Sequence, residues 1–422
     1  MDLEAQENKY DVCVIGCGRV GLPLALSLRE IGLSVVGTDI NDDTIHTVDS
    51  LQMPFKEPGY EELIKNKFTI VNTSINNYPI ANSYIITVGT PAAMHIEIDL
   101  SQVTNVIVDL ISKVDIKNKL IILRSTIAPK TTKYVIKLIK KITGYINGVD
   151  YYISMCPERL VEGDAYNELK TLPQIVGVED DESFIISKKL FEKLNIKIFK
   201  VTSIEAELSK ILTNVYRYIS FAIPNYFSMI ASHFGISIDN ISKVMTEDYP
   251  RMKGFAKRGT VAMSCLRKDF AQINENFPHT DLLVQSYKIN EFYPKFMVDF
   301  VEDILYNKNV GVLGYTGKRD TDDTRDSLTP KLLKYIERAI PNNIYINEPN
   351  LSFGKVIDNF NNREFLNYSL EETIKNSEII FLAVNHSEYD TLNKEVFKNK
   401  IVVDLWNTLD LEIVNYFNGE DK

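Results

Sequence analysis

The sequence predicts an α/β protein in which two doubly wound lobes are joined by a long central helix. Residues 10 to about 200 alternate apolar strand runs with helical patterns, as expected of a parallel sheet covered by helices. Residues 203–233 carry one helical pattern, with a kink expected at Pro224. Residues 309–422 return to β/α alternation, so both lobes are expected to be Rossmann-like. The predicted domains are residues 1–200, 201–300 and 301–422.

The composition is that of a globular protein without a bulk positive charge. The 422-residue chain is 45% hydrophobic and 25% charged, and its formal net charge is −10. This charge argues against nucleic acid and anionic membranes as partners. No apolar run reaches the roughly 18 residues that a membrane span needs. The polar start MDLEAQENKYDV does not resemble a signal peptide.

The four cysteines indicate a reducing compartment. Cys13, Cys17, Cys156 and Cys265 form no C-x-x-C pair and no Cys/His cluster with zinc spacing. We therefore expect free thiols, a cytoplasmic location and no bound metal.

A glycine-rich turn near the start predicts a dinucleotide site. Gly16, Gly18 and Gly21 give G-x-G-x-x-G, with Val20 inside the turn, directly after an apolar strand and at the start of a helical pattern. Asp39 ends the next strand, where an acid can accept both ribose hydroxyls and repel a 2′-phosphate. The pattern therefore favours NAD over NADP. A glycine turn in a plain βαβ unit is the competing interpretation, but it leaves Asp39 unexplained.

Four apolar runs in the first 200 residues predict parallel strands. They are Ser83–Val88, Leu120–Leu123, Tyr151–Met155 and Gln174–Val178, with helical patterns such as Leu100–Val114 and Lys133–Ile142 between them. Gly89–Pro91 and Arg124–Thr126 follow two of these strands directly. Ligands of doubly wound sheets bind at the strand carboxyl ends, so both segments, with Thr90 and Thr126, are expected to face the cofactor crevice.

The remaining elements predict a helical middle and a second, smaller lobe. Helical patterns cover Ile238–Met245, Leu282–Tyr306 and Ser327–Ile340, and strand patterns lie in NVGVLGYTGK, Glu378–Val384 and Lys400–Asp404. The glycine turn of this lobe lacks the full dinucleotide motif. A long apolar helix between two α/β lobes commonly carries a subunit interface, so we expect a homodimer.

Cys265, in the segment SCLRKDF, is the strongest candidate for a catalytic nucleophile. The cations of Arg267 and Lys268 follow it closely and would favour the thiolate form. Asp269 could position a water molecule or orient a neighbouring group. A buried structural cysteine is the competing interpretation.

Carboxylates and an amine elsewhere offer further chemistry. Glu158 and Glu162, in CPERLVEG, directly follow an apolar strand, where one could act as a base and the other contact the nicotinamide. Lys210 and Asn214 lie four residues apart on the central helix and could stabilise an oxyanion. The competing interpretations are a solvated helix start for the acids and a surface pair for Lys210 and Asn214.

The segment GKRDTDDTRDS alternates cations with acids. Lys318, Arg319 and Arg325 could bind a diphosphate. A charged surface loop is the competing interpretation.

These motifs together resemble the UDP-glucose/GDP-mannose dehydrogenase family of nucleotide-sugar 6-dehydrogenases. The resemblance is carried by GCGRVGLPLA, VGTP, RSTIAPKTT, CPERLVEGDA, ELSKILTNVYR, SCLRKD and GYTGKRDTDDTRDS, in that order along the chain. It implies oxidation of a sugar C6 hydroxyl to a carboxylate with two NAD. It also implies an NAD-binding domain at 1–200, a dimerisation domain at 201–300 and a UDP-sugar-binding domain at 301–422.

The resemblance implies a role for each matching residue. Cys265 would form a thiohemiacetal and then a thioester, while Lys210 and Asn214 stabilise the oxyanion. Thr126, Glu158 and Asp269 would hold water or transfer protons. The implied cofactor-binding residues are Gly16, Gly18, Val20, Gly21, Asp39, Thr90, Thr126, Glu162 and Arg325. The implied substrate-binding residues are Glu158, Arg159, Leu160, Lys210, Asn214, Gly259, Lys318 and, toward the partner subunit's sugar, Arg251.

The chain departs from the family pattern in three segments. Ala262 and Met263 stand where the family has glycines before its cysteine, Lys130 stands where it has a glycine, and PNYF at Pro224–Phe227 replaces a usual Asn-Glu. These changes bear on substrate choice and activity, because a loop without glycine cannot freely adopt positive φ.

The segments PER and LPQIVG look like the N-acetylhexosamine branch, which favours UDP-N-acetylglucosamine or UDP-N-acetylmannosamine as substrate. UDP-glucose or GDP-mannose is the first alternative. A two-electron dehydrogenase of the hydroxyacid type and a catalytically impaired nucleotide-sugar-binding homologue are the others.

Overall fold

The computed structural model describes residues 9–90, 99–261, 264–360 and 363–409. These residues form two compact units. The first unit contains the chain up to Thr213 together with 271–276, and the second contains 214–270 and the chain from Phe277 onward. The three-domain division expected from the sequence stays a prediction.

An eight-stranded sheet organises the first unit, in the order β3-β2-β1-β4-β5-β6-β7-β8. Its strands are β1 (Tyr10–Ile15), β2 (Val35–Asp39), β3 (Ile70–Asn72), β4 (Ala81–Ile86), β5 (Leu120–Leu123), β6 (Tyr152–Met155), β7 (Gln174–Val178) and β8 (Ile198–Thr202). Strands β1 to β6 pair in parallel, and the order reverses between β1 and β4. The predicted doubly wound sheet is therefore confirmed, with its ligand crevice expected beside β1 and β4.

The predicted direction of the strand Gln174–Val178 was wrong. β7 pairs antiparallel with β6, through Met155 and Gly177, and only β8 runs parallel to it. In the connection before β7, residues 156–164 are not helical. The helix that follows them, Ala165–Thr171, has 7 residues. A parallel return needs a crossover along the sheet, usually a longer helix. The chain therefore enters β7 from the edge at which β6 ends.

Helices cover both faces of this sheet. They are α1 (Gly21–Glu30), α2 (Asp42–Asp49), α3 (Glu61–Lys65), α4 (Ser101–Lys113), α5 (Thr131–Thr143), α6 (Ala165–Thr171) and α7 (Asp181–Phe191). Two apolar clusters form the core, one including Leu22, Leu24 and Phe191 and the other including Tyr84, Ile107 and Ile139. The long helix α8 (Ser203–His233) follows, and its 31 residues include Pro224.

A four-stranded parallel sheet organises the second unit, in the order β10-β9-β13-β14. The strands of this unit are β9 (Asn309–Leu313), β10 (Asn343–Asn347), β11 (Val356–Phe360), β12 (Arg363–Leu366), β13 (Ile379–Leu382) and β14 (Ile401–Asp404). β11 and β12 form a separate antiparallel pair. The second, smaller Rossmann-like lobe predicted from the sequence is thereby confirmed.

The remaining helices are α9 (Ile238–Thr246), α10 (Ser264–Asn276), α11 (Asp281–Asp299), α12 (Glu302–Leu305), α13 (Thr329–Arg338), α14 (Leu370–Asn376) and α15 (Ser387–Asp390). The helical pattern predicted over Leu282–Tyr306 is divided between two helices, because α11 ends at Asp299 and the short α12 follows.

A buried carboxylate on α8 caps α5. Glu207 is buried, and its Oε1 accepts hydrogen bonds from Thr132 N at 2.8 Å and Thr132 Oγ1 at 2.6 Å. Its Oε2 accepts one from Lys130 N at 2.6 Å. Burial raises the pKa of Glu207, against the lowering effect of these bonds. The bonds satisfy N–H groups at a helix N-terminus, which have no partner within their own helix.

Lys130 takes a backbone conformation that favours glycine. It has φ +77° directly before α5, at the position where the family pattern has glycine. A non-glycine residue there carries a strain of about 1–2 kcal/mol.

An asparagine on α8 holds the segment before α10. Asn225 is fully buried, accepts from Gly259 N at 2.9 Å and donates to Gly259 O at 3.0 Å. Its Nδ2 also donates to Asn290 Oδ1 at 3.1 Å. Next to it, the buried Arg258 makes a bidentate pair with Asp239, at 3.0 and 2.8 Å. This segment is therefore fixed through side chains that bond its backbone and its neighbours.

Replacing Lys130 by glycine is expected to stabilise the protein. Relief of the left-handed strain, partly offset by the greater freedom of an unfolded glycine, should raise the free energy of unfolding by about 0.5–1 kcal/mol. Chemical denaturation measures it. The control is Lys137→Gly at an exposed interior position of α5, which should lower the free energy of unfolding by about 1 kcal/mol. A lower free energy of unfolding in both variants would contradict the proposed strain at Lys130.

Replacing Asn225 by alanine is expected to destabilise the protein. The change leaves the N–H and C=O of Gly259 without their side-chain partner, at a cost of about 1–3 kcal/mol in the free energy of unfolding. The control is Asn376→Ala at an exposed position of α14, with an expected change within about 0.5 kcal/mol. Equal unfolding midpoints for the two variants would show that the Asn225–Gly259 bonds contribute nothing.

Candidate active site

The glycine turn between β1 and α1 has the geometry that a dinucleotide needs. Gly16 has φ +95°, and a Cβ at Gly21 would overlap the carbonyl oxygen of Gly16. A Cβ at Gly18 would meet no atom within 4 Å. Gly16 therefore makes the turn, Gly21 allows the close packing of helix against strand, and Gly18 leaves its backbone accessible. Val20 precedes α1, and among the described residues no side chain caps this helix, so its N-terminal dipole can face an anion.

Asp39 is held rigidly at the carboxyl end of β2. Its Oδ2 accepts from Cys17 N at 2.7 Å, and its Oδ1 accepts from Ile40 N at 2.8 Å and Asn41 N at 3.0 Å. The carboxylate lines a cavity of about 530 Å³ together with Gly16 and Ile40. This cavity, the open Gly18 and the fixed acid fit the adenosine half of NAD.

The segments after β4 and β5 meet at the same sheet edge. Thr90 Oγ1 donates to Thr126 O at 2.7 Å. Pro91 lies outside the described residues. Arg124, expected at the crevice, is instead buried and donates to Gln174 Oε1 at 2.9 Å. Burial lowers the pKa of this guanidinium. The expectation for Arg124 was therefore wrong, because its side chain turns inward under β6 and β7 while Thr126 lies at the edge.

Lys210 and Glu158 are brought together inside the first unit. The Lys210 Nζ lies 4.0 Å from Glu158 Oε2, and both side chains are largely shielded from water. Glu158 also accepts a hydrogen bond from Leu160 N, which turns the chain after β6. A cation and a carboxylate thus share one shielded site, where their charges act more strongly than in water.

The neighbouring predicted residues have structural contacts. Arg159 donates to Pro173 O, and Leu160 packs against the apolar core. Glu162 lies half-buried in the same loop. These contacts hold the loop that carries Glu158 and Glu162.

A residue that the sequence analysis missed anchors this loop. Glu57 is buried, and its two oxygens accept from Gly163 N and Ala165 N, each at 3.0 Å. It lies more than 100 residues before the atoms that it binds. Nothing local in the sequence around it indicates that contact.

In the second unit, Asp269 and Asn214 form a buried pair next to Cys265. Asn214 Nδ2 donates to Asp269 Oδ2 at 2.6 Å, and both residues are buried. Cys265 is half-buried and precedes Asp269 by four residues on α10. Residues four apart on a helix are neighbours on one face. The thiol and the carboxylate thus lie on adjoining turns of α10, and the amide of Asn214 on α8 binds the carboxylate.

Arg267 does not act as a free cation beside the thiol. Its Nε donates to Glu291 Oε1 at 2.8 Å, and its NH1 lies 3.6 Å from Asp326 Oδ1. Two carboxylates therefore balance the charge of Arg267, and its effect on the thiol stays a prediction. Ala262 and Met263 lie outside the described residues.

The charged segment after β9 is folded rather than loose. Lys318 O accepts from Thr316 Oγ1 at 3.1 Å and from Thr321 Oγ1 at 3.0 Å. Arg325 is exposed and makes a bidentate pair with Asp323, at 2.8 and 2.7 Å.

The other predicted substrate residues differ in accessibility. Arg251 is exposed, and its NH1 donates to Tyr249 OH at 3.0 Å. Gly259 is buried, and a Cβ there would overlap the ring of Trp406. Arg251 can therefore reach a molecule outside this chain, whereas Gly259 allows a close approach between backbone and indole.

Two negative observations apply to the part of the chain that the structure describes. No group of three or more His, Cys, Asp or Glu is arranged to hold a metal ion. No helix has the length and apolar character needed to cross a membrane.

Known proteins with similar sequences and folds cover nearly the whole chain. The UDP-N-acetyl-D-mannosamine dehydrogenase of Methanococcus vannielii is 28% identical, over 97% of this chain and 95% of its own. The UDP-glucose 6-dehydrogenase of Rickettsia felis is also 28% identical, over 95% and 93%. A solved UDP-N-acetyl-D-mannosamine dehydrogenase from Pyrococcus horikoshii has a TM-score of 0.83 at 26% identity, over 94% of this chain and 96% of that one.

Profiles of one family match three successive parts of the chain. They are its NAD-binding domain at residues 10–195, its central domain at 204–291 and its UDP-binding domain at 311–411. The matches confirm the predicted NAD cofactor and the predicted enzyme class, an NAD-dependent nucleotide-sugar dehydrogenase. The chain belongs to the UDP-glucose/GDP-mannose dehydrogenase family.

Proposed function

We propose that this enzyme oxidises the C6 hydroxyl of a UDP-sugar to a carboxylate in two NAD-dependent steps, with Cys265 as the covalent nucleophile. One observation carries the proposal. Cys265 lies on the same helix as the buried Asp269, whose carboxylate accepts from Asn214 at 2.6 Å. A thiol with a positioned carboxylate and amide is what acyl transfer to water needs.

The proposed reaction passes through a covalent stage. Bound NAD supplies the hydride acceptor for each oxidation. Cys265 adds to the C6 aldehyde to give a thiohemiacetal, whose oxidation gives a thioester. Water then hydrolyses the thioester to the carboxylate and frees the thiol. One alcohol, two NAD and one water thus give one carboxylate, two NADH and three protons.

The neighbouring residues have complementary roles. Asp269 orients the hydrolytic water and takes its proton, and Asn214 holds that carboxylate in place while donating to the oxyanion. Lys210 stabilises the same developing negative charge. Glu158, 4.0 Å from Lys210, balances its charge and passes protons, with Thr126 assisting.

The proposed substrate is UDP-N-acetylmannosamine, with UDP-N-acetylglucosamine next. The M. vannielii and P. horikoshii relatives are named UDP-N-acetyl-D-mannosamine dehydrogenases. The segments PER and LPQIVG point to the same branch. UDP-glucose is the alternative, because the R. felis relative is equally identical at 28%. Lys318, Arg251, Gly259, Arg159 and Leu160 are proposed to line the sugar-nucleotide site.

NAD is proposed to bind along the carboxyl edge of the first sheet. Gly16, Gly18, Val20 and Gly21 receive its pyrophosphate at the N-terminus of α1, and Asp39 accepts from the adenosine ribose. Residues proposed to contact the rest of the cofactor are Thr90, Thr126, Glu162 and Arg325.

A second copy of the chain is proposed to cover an exposed stripe on α8. Tyr216, Ile223, Tyr226, Ile230 and Phe234 are all exposed. At 100° per residue the first four lie within about a quarter of the circumference of α8, and Phe234 directly follows the end of that helix. An apolar stripe of this length on one helix face marks an interaction site. The resulting homodimer would bring Arg251 to the partner's sugar.

Removing the nucleophile should stop the second oxidation. Cys265→Ser is expected to lower carboxylate formation at least about a thousandfold, because serine lacks the nucleophilicity of a thiolate. Mass spectrometry of the product measures it. The control is Cys13→Ala, which removes a thiol buried in β1. Full carboxylate formation by Cys265→Ser would rule out the thioester mechanism.

Removing the ribose acceptor should weaken NAD binding. Asp39→Ala is expected to raise the NAD KM roughly tenfold, because one hydrogen-bonded charge is lost. It should also reduce the preference for NAD over NADP, because the acid that repels a 2′-phosphate is gone. The control, Asp43→Ala on the exposed first turn of α2, should leave both constants unchanged. An unaltered NAD KM in Asp39→Ala would remove the ribose role of Asp39.

A charge on the stripe should separate the subunits. Ile230→Glu is expected to convert a dimer to a monomer in light scattering, because an unpaired carboxylate would be buried in the interface. Val244→Glu, on exposed α9, is the control and should leave the dimer intact. A wild-type protein that is monomeric at micromolar concentration would contradict the stripe as an interface.

A further inference from the structure

Two fully buried side chains lie where three strands of the second unit end. Glu348 follows β10, and His386 follows β13 by a few residues. β9 lies between these strands, and the loop that carries Lys318 leaves its carboxyl end. Both side chains are 0% exposed, so they cannot contact a ligand directly.

Glu348 binds the beginning of the Lys318 loop. Its Oε2 accepts from Tyr315 N at 2.8 Å and Thr316 N at 2.9 Å. Its Oε1 accepts from Asn350 N at 2.9 Å. Burial opposes the charge of this carboxylate, but the hydrogen bond from His386 and those from the Thr316 and Tyr315 amides overcome it and lower the pKa of Glu348 to about 2. Glu348 is therefore ionised at neutral pH.

His386 binds the far side of the same loop. Its Nδ1 accepts from Asp320 N at 2.9 Å. A neutral imidazole that accepts at Nδ1 carries its proton at Nε2. That proton is directed at Glu348 Oε2, 3.0 Å away. The bonding pattern thus assigns one tautomer and joins the two side chains into a single unit.

Lys318 lies between the two attachment points. Thr316 is held by Glu348 on one side, and Asp320 is held by His386 on the other. The carbonyl of Lys318 accepts from Thr316 Oγ1 at 3.1 Å. Backbone freedom around Lys318 is therefore restricted from both ends, while its half-buried side chain extends from a fixed point.

We propose that Glu348 and His386 are positioning residues that fix the Lys318 loop in the conformation that binds the anionic nucleotide of the substrate. The inference rests on the proposed function, because it takes Lys318 as a contact to the UDP-sugar. Pre-ordering a cation for a phosphate improves affinity, because the loop then loses less entropy on binding. Simple packing of two buried polar groups is the competing explanation.

The two halves of the histidine can be tested separately. The amide of asparagine superposes on the Nδ1 side of a histidine and that of glutamine on the Nε2 side. His386→Asn keeps an acceptor for Asp320 N but loses the donor to Glu348. His386→Gln keeps the donor but loses the acceptor. Each variant retains one of the two bonds, so each is expected to fold, and thermal unfolding confirms it.

The measurements are calorimetric binding of UDP and of NAD, with hydrogen exchange of residues 314–323. His386→Gln should weaken UDP binding roughly tenfold, because a tenfold change in affinity corresponds to the free energy of about one hydrogen bond. It should also speed hydrogen exchange in this loop. His386→Asn should change UDP binding less than about threefold. NAD binding should stay constant in both. His279→Gln, at an exposed site of the same unit, is the control.

The parallel variant Lys318→Ala separates two kinds of failure. Weaker UDP binding in Lys318→Ala, with no difference between the two His386 variants, overturns the positioning role and leaves the proposed function standing. Unchanged UDP binding in Lys318→Ala removes Lys318 from the nucleotide site, and it overturns both the positioning role and the proposed contact of Lys318 while leaving the oxidation at Cys265 untouched. Equal losses of UDP and NAD affinity in the His386 variants would indicate a general packing role and also overturn the inference.

Discussion

Buried carboxylates that accept backbone N–H groups hold the polar loops of this protein in place. Glu57 binds the loop that carries Glu158 and Glu162, Glu207 caps α5, and Glu348 binds the Lys318 loop. A buried charge is costly unless it is hydrogen-bonded, and an unpaired buried amide is costly too. Each pairing reduces both costs at once. The loops at the sheet edges are thereby rigid without regular secondary structure of their own.

Parallel strands decide where those loops lie. In the first unit the glycine turn, Asp39, Thr90 and Thr126 all follow strands that run the same way, so they meet at one edge. The second unit repeats the arrangement with the segments after β9, β10 and β13. The first edge suits a dinucleotide, with an open glycine and a fixed acid. At the second edge, Lys318 extends from a loop whose two ends are bound by Glu348 and His386, and a cation held in this way suits a nucleotide phosphate.

Local patterns made much of this predictable. The spacing of Gly16, Gly18, Gly21 and Asp39 follows from turn, helix and strand geometry within residues 16–39, and Cys265 and Asp269 share a helix face. The direction of β7 was not predictable in this way, because an apolar run has no signature of its pairing direction. The buried carboxylates were missed for a related reason. Glu207 binds a backbone amide 77 residues away, and Glu57 binds a backbone amide 106 residues away. No local sequence pattern indicates either contact.

The stoichiometry of oxidation tests the central proposal most directly. The purified protein would be incubated with NAD and, separately, UDP-N-acetylmannosamine, UDP-N-acetylglucosamine, UDP-glucose or GDP-mannose, and NADH and product mass recorded. We predict two NADH for each sugar and a carboxylate product, with UDP-N-acetylmannosamine the preferred donor. One NADH per sugar with an aldehyde product, or no NADH from any donor despite measurable binding of UDP, would contradict the four-electron reaction.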